Sequence, residues 1–183
     1  MVLFRPFRTF EIVRVEGEGS ERLLRWTLVA AAILGALAGI EPLQSAAALL
    51  GAPARGEFWV AAGLLLSAML MYGSLQALTG IERFGVQFFG RRRSWRVTPA
   101  IATTICAHAA AGWIVACVLA SAATFAKVPL LDRLDNMTLT GTTAALIGVV
   151  NALPLIGFFA GMLLFESLVY LGIRRCRFGN RAR

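Results

Sequence analysis

Four stretches of this chain run for 15 residues or more without a charged side chain, and short clusters of charge separate them. A helix needs roughly 20 apolar residues to cross a ~30 Å hydrocarbon core. In lipid every backbone amide must bond internally, so the predicted elements are helices. The ~10-residue alternation of barrel strands is not visible. The first predicted span covers 23–41. Only 15 uncharged residues separate Arg25 from Glu41, so Arg25 must snorkel to the interface, and Glu41-Pro42 closes the helix. The second covers 58–80, with 24 uncharged residues between Glu57 and Glu82 and Trp59 at an interfacial depth. The third covers 99–125, with Pro99 in its first turn.

The last apolar stretch, from Met137 to Ile173, would exceed ~50 Å as one helix. Asn151 and Pro154 punctuate it, because proline removes a backbone donor and crowds the preceding turn. The span proper is therefore read as 154–173, and residues 138–153 as a kinked extension or a re-entrant turn. The fold class expected is all-α: a polytopic membrane protein built as a bundle of four transmembrane helices.

The flanks fix an orientation. Residues 1–22 mix charge with Phe4, Phe7, Phe10, Ile12 and Val13, the pattern of a segment lying on headgroups and helical after Pro6. The loop 80–98 carries Arg83 and the run Arg91-Arg92-Arg93-Ser94-Trp95-Arg96; a short outer loop spans 127–136, and a basic tail covers 174–183. With four crossings, fifteen basic residues fall on the side of the termini and three (Arg55, Lys127, Arg133) on the other. That asymmetry places both termini in the cytoplasm, whereas a fifth crossing would put the tail arginines on the wrong side. Trp26 to Ile40 could serve as the apolar part of a signal peptide. The preceding segment is too long for one and carries Glu11, Glu16, Glu18 and Glu21.

Composition agrees. The chain is 58% hydrophobic and 15% charged, with a mean hydropathy of +0.72, where soluble domains are about 45–50% apolar and about 25% charged. The net charge of +8 would suit nucleic acid, but the basic residues flank apolar runs and serve membrane topology instead. Cys106 and Cys117 lie in an apolar run and Cys176 in the tail, so no disulfide framework is implied. Cys176 is placed for acylation where a cell has that machinery, and Asn136-Met137-Thr138 is a glycosylation sequon on the expected outer face.

Ionisable residues inside spans are costly, and so are functional candidates. His108 stands 12 residues from Arg96 and Glu166 eight residues from Arg174, each about 10–18 Å inside its helix end. Tyr72 falls in the same layer. A polar group of His108, Glu166 and Tyr72 would act as a proton relay or binding site, or as a hydrogen bond that fixes packing. Small residues recur at four-residue spacing in Gly35/Gly39, Thr103/Ala107/Ala111, Gly112/Ala116/Ala120 and Gly157/Gly161. Such faces let backbones approach, within one bundle or between copies in a homo-oligomer. Arg91, Arg92, Arg93 and Arg96 form a basic patch at the membrane surface, a topological anchor or a site for anionic lipid headgroups or an acidic partner. No zinc-protease, phosphate-loop or serine-hydrolase motif occurs, and His108 is the one histidine. A catalytic role, a cofactor and a metal are therefore not expected.

Three passages resemble the Yip-domain family of small membrane proteins (Ypt/Rab-interacting proteins and their bacterial relatives). They are Arg5-Pro6-Phe7-Arg8-Thr9-Phe10-Glu11-Ile12-Val13, then Phe88-Phe89-Gly90 with the basic residues after it, then Ala107-His108-Ala109-Ala110-Ala111-Gly112-Trp113. They cover about a third of the chain, and the family usually has five spans where four are counted in this one. The resemblance implies a non-catalytic scaffold that recruits protein or lipid partners at the membrane. The alternative is a small transporter or channel component using His108 and Glu166.

Overall fold

The structure is a computed structural model that describes residues 3–12, 17–49, 57–95, 97–135 and 141–175. Every regular element among them is a helix: α1 (Pro6–Ile12), α2 (Gly17–Leu49), α3 (Glu57–Arg92), α4 (Pro99–Ala109), α5 (Ala111–Asp135) and α6 (Gly141–Arg175). With α4 and α5 taken as one rod, four of these are long and apolar enough to cross a membrane. The all-α bundle of four long apolar helices is thus observed, and it is the architecture of an integral membrane protein. Arg96, the sequon Asn136-Met137-Thr138, Cys176 and the rest of the tail lie outside the described residues.

The helices overrun the expected spans. α2, α3 and α6 have 33, 36 and 35 residues, so each is about 50 Å long against a ~30 Å hydrocarbon core. Residues 80–92, expected as loop, continue α3; α2 runs on through Pro42, and α5 through Pro129. Proline removes one backbone hydrogen bond, but the helix persists where neighbouring helices and a water-poor surrounding leave its carbonyls no better arrangement. The same holds at Pro154. α6 passes Asn151 and Pro154 without interruption, so residues 141–153 are a helical extension and the re-entrant turn is not formed.

The third span departs from expectation in the other direction: it is broken at Ala110, between α4 and α5. There the Trp113 amide bonds back to the Ala110 carbonyl, three residues away, where α-helix would use four. The turn before the break is loaded with side chains that bond to carbonyls four residues back: Thr103 to Pro99, Thr104 to Ala100 and His108 to Thr104. Such back-bonding bends helices.

α4 and the first half of α5 form the axis of the bundle. Residues 101–107, 109 and 110 are all buried, because Ala, Thr and Cys leave room for α2, α3 and α6 to close in. Where α5 meets α6, a Cβ on Gly112 would stand 2.6 Å from Phe165 Cα, and one on Gly161 would collide with the Ala116 backbone. Gly157 abuts the backbone of Leu119 and Ala120. The four-residue faces of Gly112/Ala116/Ala120 and Gly157/Gly161 therefore meet each other inside one molecule. Trp113, 1% exposed, stacks on Phe165 at 4.6 Å between ring centroids and donates Nε1 to Thr79 Oγ1 of α3 at 3.0 Å. Ser67 of α3 donates to the Ala36 carbonyl and Ser121 of α5 to the Leu34 carbonyl, both on α2. Ser20 and Thr104 share a hydrogen bond of 2.9 Å between α2 and α4.

Candidate functional site

The basic corner where α3 turns into α4 is built by a helix stop. Ser94 has φ 55, a left-handed conformation rare outside glycine. The Trp95 amide reaches back to the Gly90 carbonyl at 2.9 Å and the Ser94 amide to Arg91 at 3.1 Å, the paired bonds of a Schellman stop. Thr98 then caps α4, its hydroxyl accepting from the Ile101 amide ahead of Pro99. The stop leaves Arg91, Arg92 and Arg93 in and just after the last turn of α3, all exposed. There the unpaired carbonyls of the helix end favour positive charge.

Aromatic rings accompany these arginines. Phe84 and Phe88 stack at 6.1 Å, Phe88 meets Phe89 edge-on at 5.4 Å, and the Arg92 guanidinium lies 4.7 Å from the Phe88 ring centre. Phe84 is 69% exposed. Apolar rings under a cap of arginines suit the boundary between acyl chains and headgroups.

Beside this corner runs a groove between α3 and α6 with a volume of about 400 Å³, lined by Arg93 and Trp95 from the corner and by Tyr170 and Arg174 from α6. α3 and α6 have at most glancing contact with each other, and each packs on α4. The groove also shows that the end of α3 and the end of α6 share one end of the bundle. α1 joins them there. Phe10, 1% exposed, lies against Gly172 of α6 and meets the His108 ring edge-on at 6.4 Å.

Among the described residues no hydrogen bond or ion pair joins the three intramembrane polar residues to one another. His108 is half-buried, and its Nδ1 donates to the Thr104 carbonyl of its own helix at 2.9 Å. Glu166 is exposed on α6. Phe165 takes the inward position there, and the next residue is turned about 100° away. Tyr72 lines a separate cleft of about 230 Å³ between α2 and α3, with Gln76, Thr79, Glu21, Arg25 and Arg83. Arg83 and Glu21 form an ion pair across that cleft at 3.9 Å. Glu166 lies within electrostatic reach of Glu82 of α3, a neighbour that a reading by depth and span boundaries missed. Among the described residues no hydrogen bond or ion pair links His108 to Glu166, and no group of three or more His, Cys, Asp and Glu could hold a metal ion.

No protein-family model, no curated protein and no solved structure matches the chain.

Proposed function

We propose that this chain is a non-catalytic integral membrane scaffold whose basic end engages anionic headgroups and presents that face to partners. The observation that carries the reading is the α3–α4 corner. A helix stop holds Arg91, Arg92 and Arg93 together at the end of a helix whose exposed Phe84, Phe88 and Phe89 belong in acyl chains. Orientation follows from the same residues: basic flanks stay in the cytoplasm, so the corner, α1 and the end of α6 face that side. The Yip-domain resemblance is part of this proposal and supplies the scaffold role. The transporter alternative rested on a joined His108–Glu166 pair, and the geometry offers it no support.

The test is reconstitution in vesicles of phosphatidylcholine with graded phosphatidylglycerol. Unfolding of the wild type should become harder as the anionic fraction rises. Arg91→Gln with Arg92→Gln should flatten that dependence by roughly 1 kcal/mol per arginine. An unchanged dependence would count against the reading.

A further inference from the structure

We infer that the groove between α3 and α6 holds one anionic phospholipid, its phosphate between Arg93 and Arg174 and its chains running toward the bundle middle; this deepens the headgroup-binding reading and rests on it. The Arg93 guanidinium lies 5.4 Å from the Trp95 ring centre, and that of Arg174 lies 5.6 Å from the Tyr170 ring centre. Arg174 Nη1 also donates to the Tyr170 hydroxyl at 3.3 Å. Stacking on a ring face orients a guanidinium, a planar fork whose geometry matches a phosphate. Two such groups from different helices face one groove of about 400 Å³.

Away from Arg93 the α3 wall becomes apolar at Phe89 and Val86, and on the α6 wall Ile173 stands beside Arg174. One turn further along the same faces stand Glu82 and Glu166, four residues before Val86 and Tyr170. These carboxylates lie within electrostatic reach of each other. The groove itself is thus cationic and apolar, and the two carboxylates stand beyond it, one turn deeper. A phosphate is drawn to the arginines and away from the carboxylates beyond the groove, which sets the direction of the lipid. Because α3 and α6 are not packed together, the acyl chains have a way out into the bilayer. An acidic protein segment would satisfy the arginines but would set its backbone amides against Val86 and Ile173 without partners, at a desolvation cost. A phospholipid carries charge at one end and hydrocarbon at the other, in the order the groove requires.

Native mass spectrometry of the full chain, titrated with phosphatidylglycerol, phosphatidylcholine or inorganic phosphate, tests this. The wild type should retain one phosphatidylglycerol in strong preference to phosphatidylcholine. Arg93→Gln with Arg174→Gln should weaken that adduct about thirtyfold, the combined effect of two headgroup-contacting arginines. Arg93→Lys with Arg174→Lys should recover only part of that loss, because lysine keeps the charge but not the stacked fork, and melting in detergent would show both variants folded. Wild-type retention by the Gln variant would overturn the proposal. So would equal retention of phosphatidylcholine, displacement of the lipid by free phosphate, or displacement by an acidic peptide at equal concentration. If Arg91→Gln with Arg92→Gln removes the vesicle dependence while the Gln variant at Arg93 and Arg174 keeps its lipid, the groove fails and the corner stands. The reverse pattern retains the groove and removes the corner.

Discussion

α4 with the start of α5, and α3, are both strongly apolar stretches of one chain, yet they live in opposite surroundings. Residues 101–107 are buried without exception. α3 exposes Leu65, Leu66, Met69, Leu70, Ile81, Phe84 and Phe89. Side-chain volume separates the two. The inner rod carries Ala, Thr, Cys and Gly where the helices close on it, with Ile101, Ile105 and Trp113 as its large buried side chains; the exposed face of the outer helix is Leu, Met and Phe. Where lipid is the solvent, hydropathy decides which residues enter the membrane but not which face a neighbour, because a leucine is equally at home against lipid or protein. Close backbone approach is available only to small residues, and these mark the interior.

The comparison is open to breakage first at glycine. Gly161→Leu drives a side chain into the Ala116 backbone and should cost at least about 3 kcal/mol, at the upper end of overpacking effects. A Cβ added at Gly73 on α3 meets nothing within 4 Å, so Gly73→Leu should change stability by no more than about 1 kcal/mol, in the stabilising direction if helix propensity decides. Reversible unfolding in mixed micelles measures both. Equal losses would mean that α5 and α6 do not pack as described.

A smaller effect separates the two regions at tryptophan. Trp113→Phe keeps the stacked ring but strands Thr79 without its donor, for a loss of about 1 kcal/mol. Trp26→Phe, at a position 66% exposed, should stay within about 0.5 kcal/mol. The serines give a finer contrast. Ser67→Ala and Ser121→Ala each remove a hydrogen bond between helices and should cost about 0.6 kcal/mol. Ser167→Ala removes only a bond within α6, to Leu163, and should be silent in the same unfolding measurement. Smallest of all is the coupling between His108→Asn and Glu166→Gln. With no shared partner the two changes should add within about 0.5 kcal/mol in a double-mutant cycle. A larger coupling energy would restore the polar pair.

The four apolar rods were legible because an uncharged run long enough to span a bilayer has few other uses. Their ends were not. Charged residues such as Glu82 and Arg83 read as loop, but in the headgroup zone a helix simply continues, since its backbone has no better partner than itself. The break at Ala110 carries no proline and no glycine of its own; it follows from back-bonding by Thr103, Thr104 and His108 together with the packing of Gly112 on Phe165. The glycine faces were visible as candidates, but their pairing with one another was not, because four-residue spacing names a face and not its partner. Depth along a helix could be counted from the nearest arginine, and it set His108 and Glu166 in one layer. Rotation about the helix axis could not be counted that way, and one residue of rotation puts Phe165 inside and Glu166 out. In the basic patch the run of arginines was plain from sequence. Its extension to Arg174 and Tyr170 required knowing that α3 and α6 end side by side.

Everything rests on four crossings with the basic ends gathered on one face, and labelling from one side of a sealed membrane tests that most directly. Ser94→Cys and Asn180→Cys, each introduced singly with Cys176 replaced by Ser, should react with a membrane-impermeant maleimide from the same side in oriented vesicles. Cys106 and Cys117, both buried, should stay silent. Reaction of the two introduced cysteines from opposite sides would contradict the four-crossing bundle, and the lipid-binding corner and groove would fall with it.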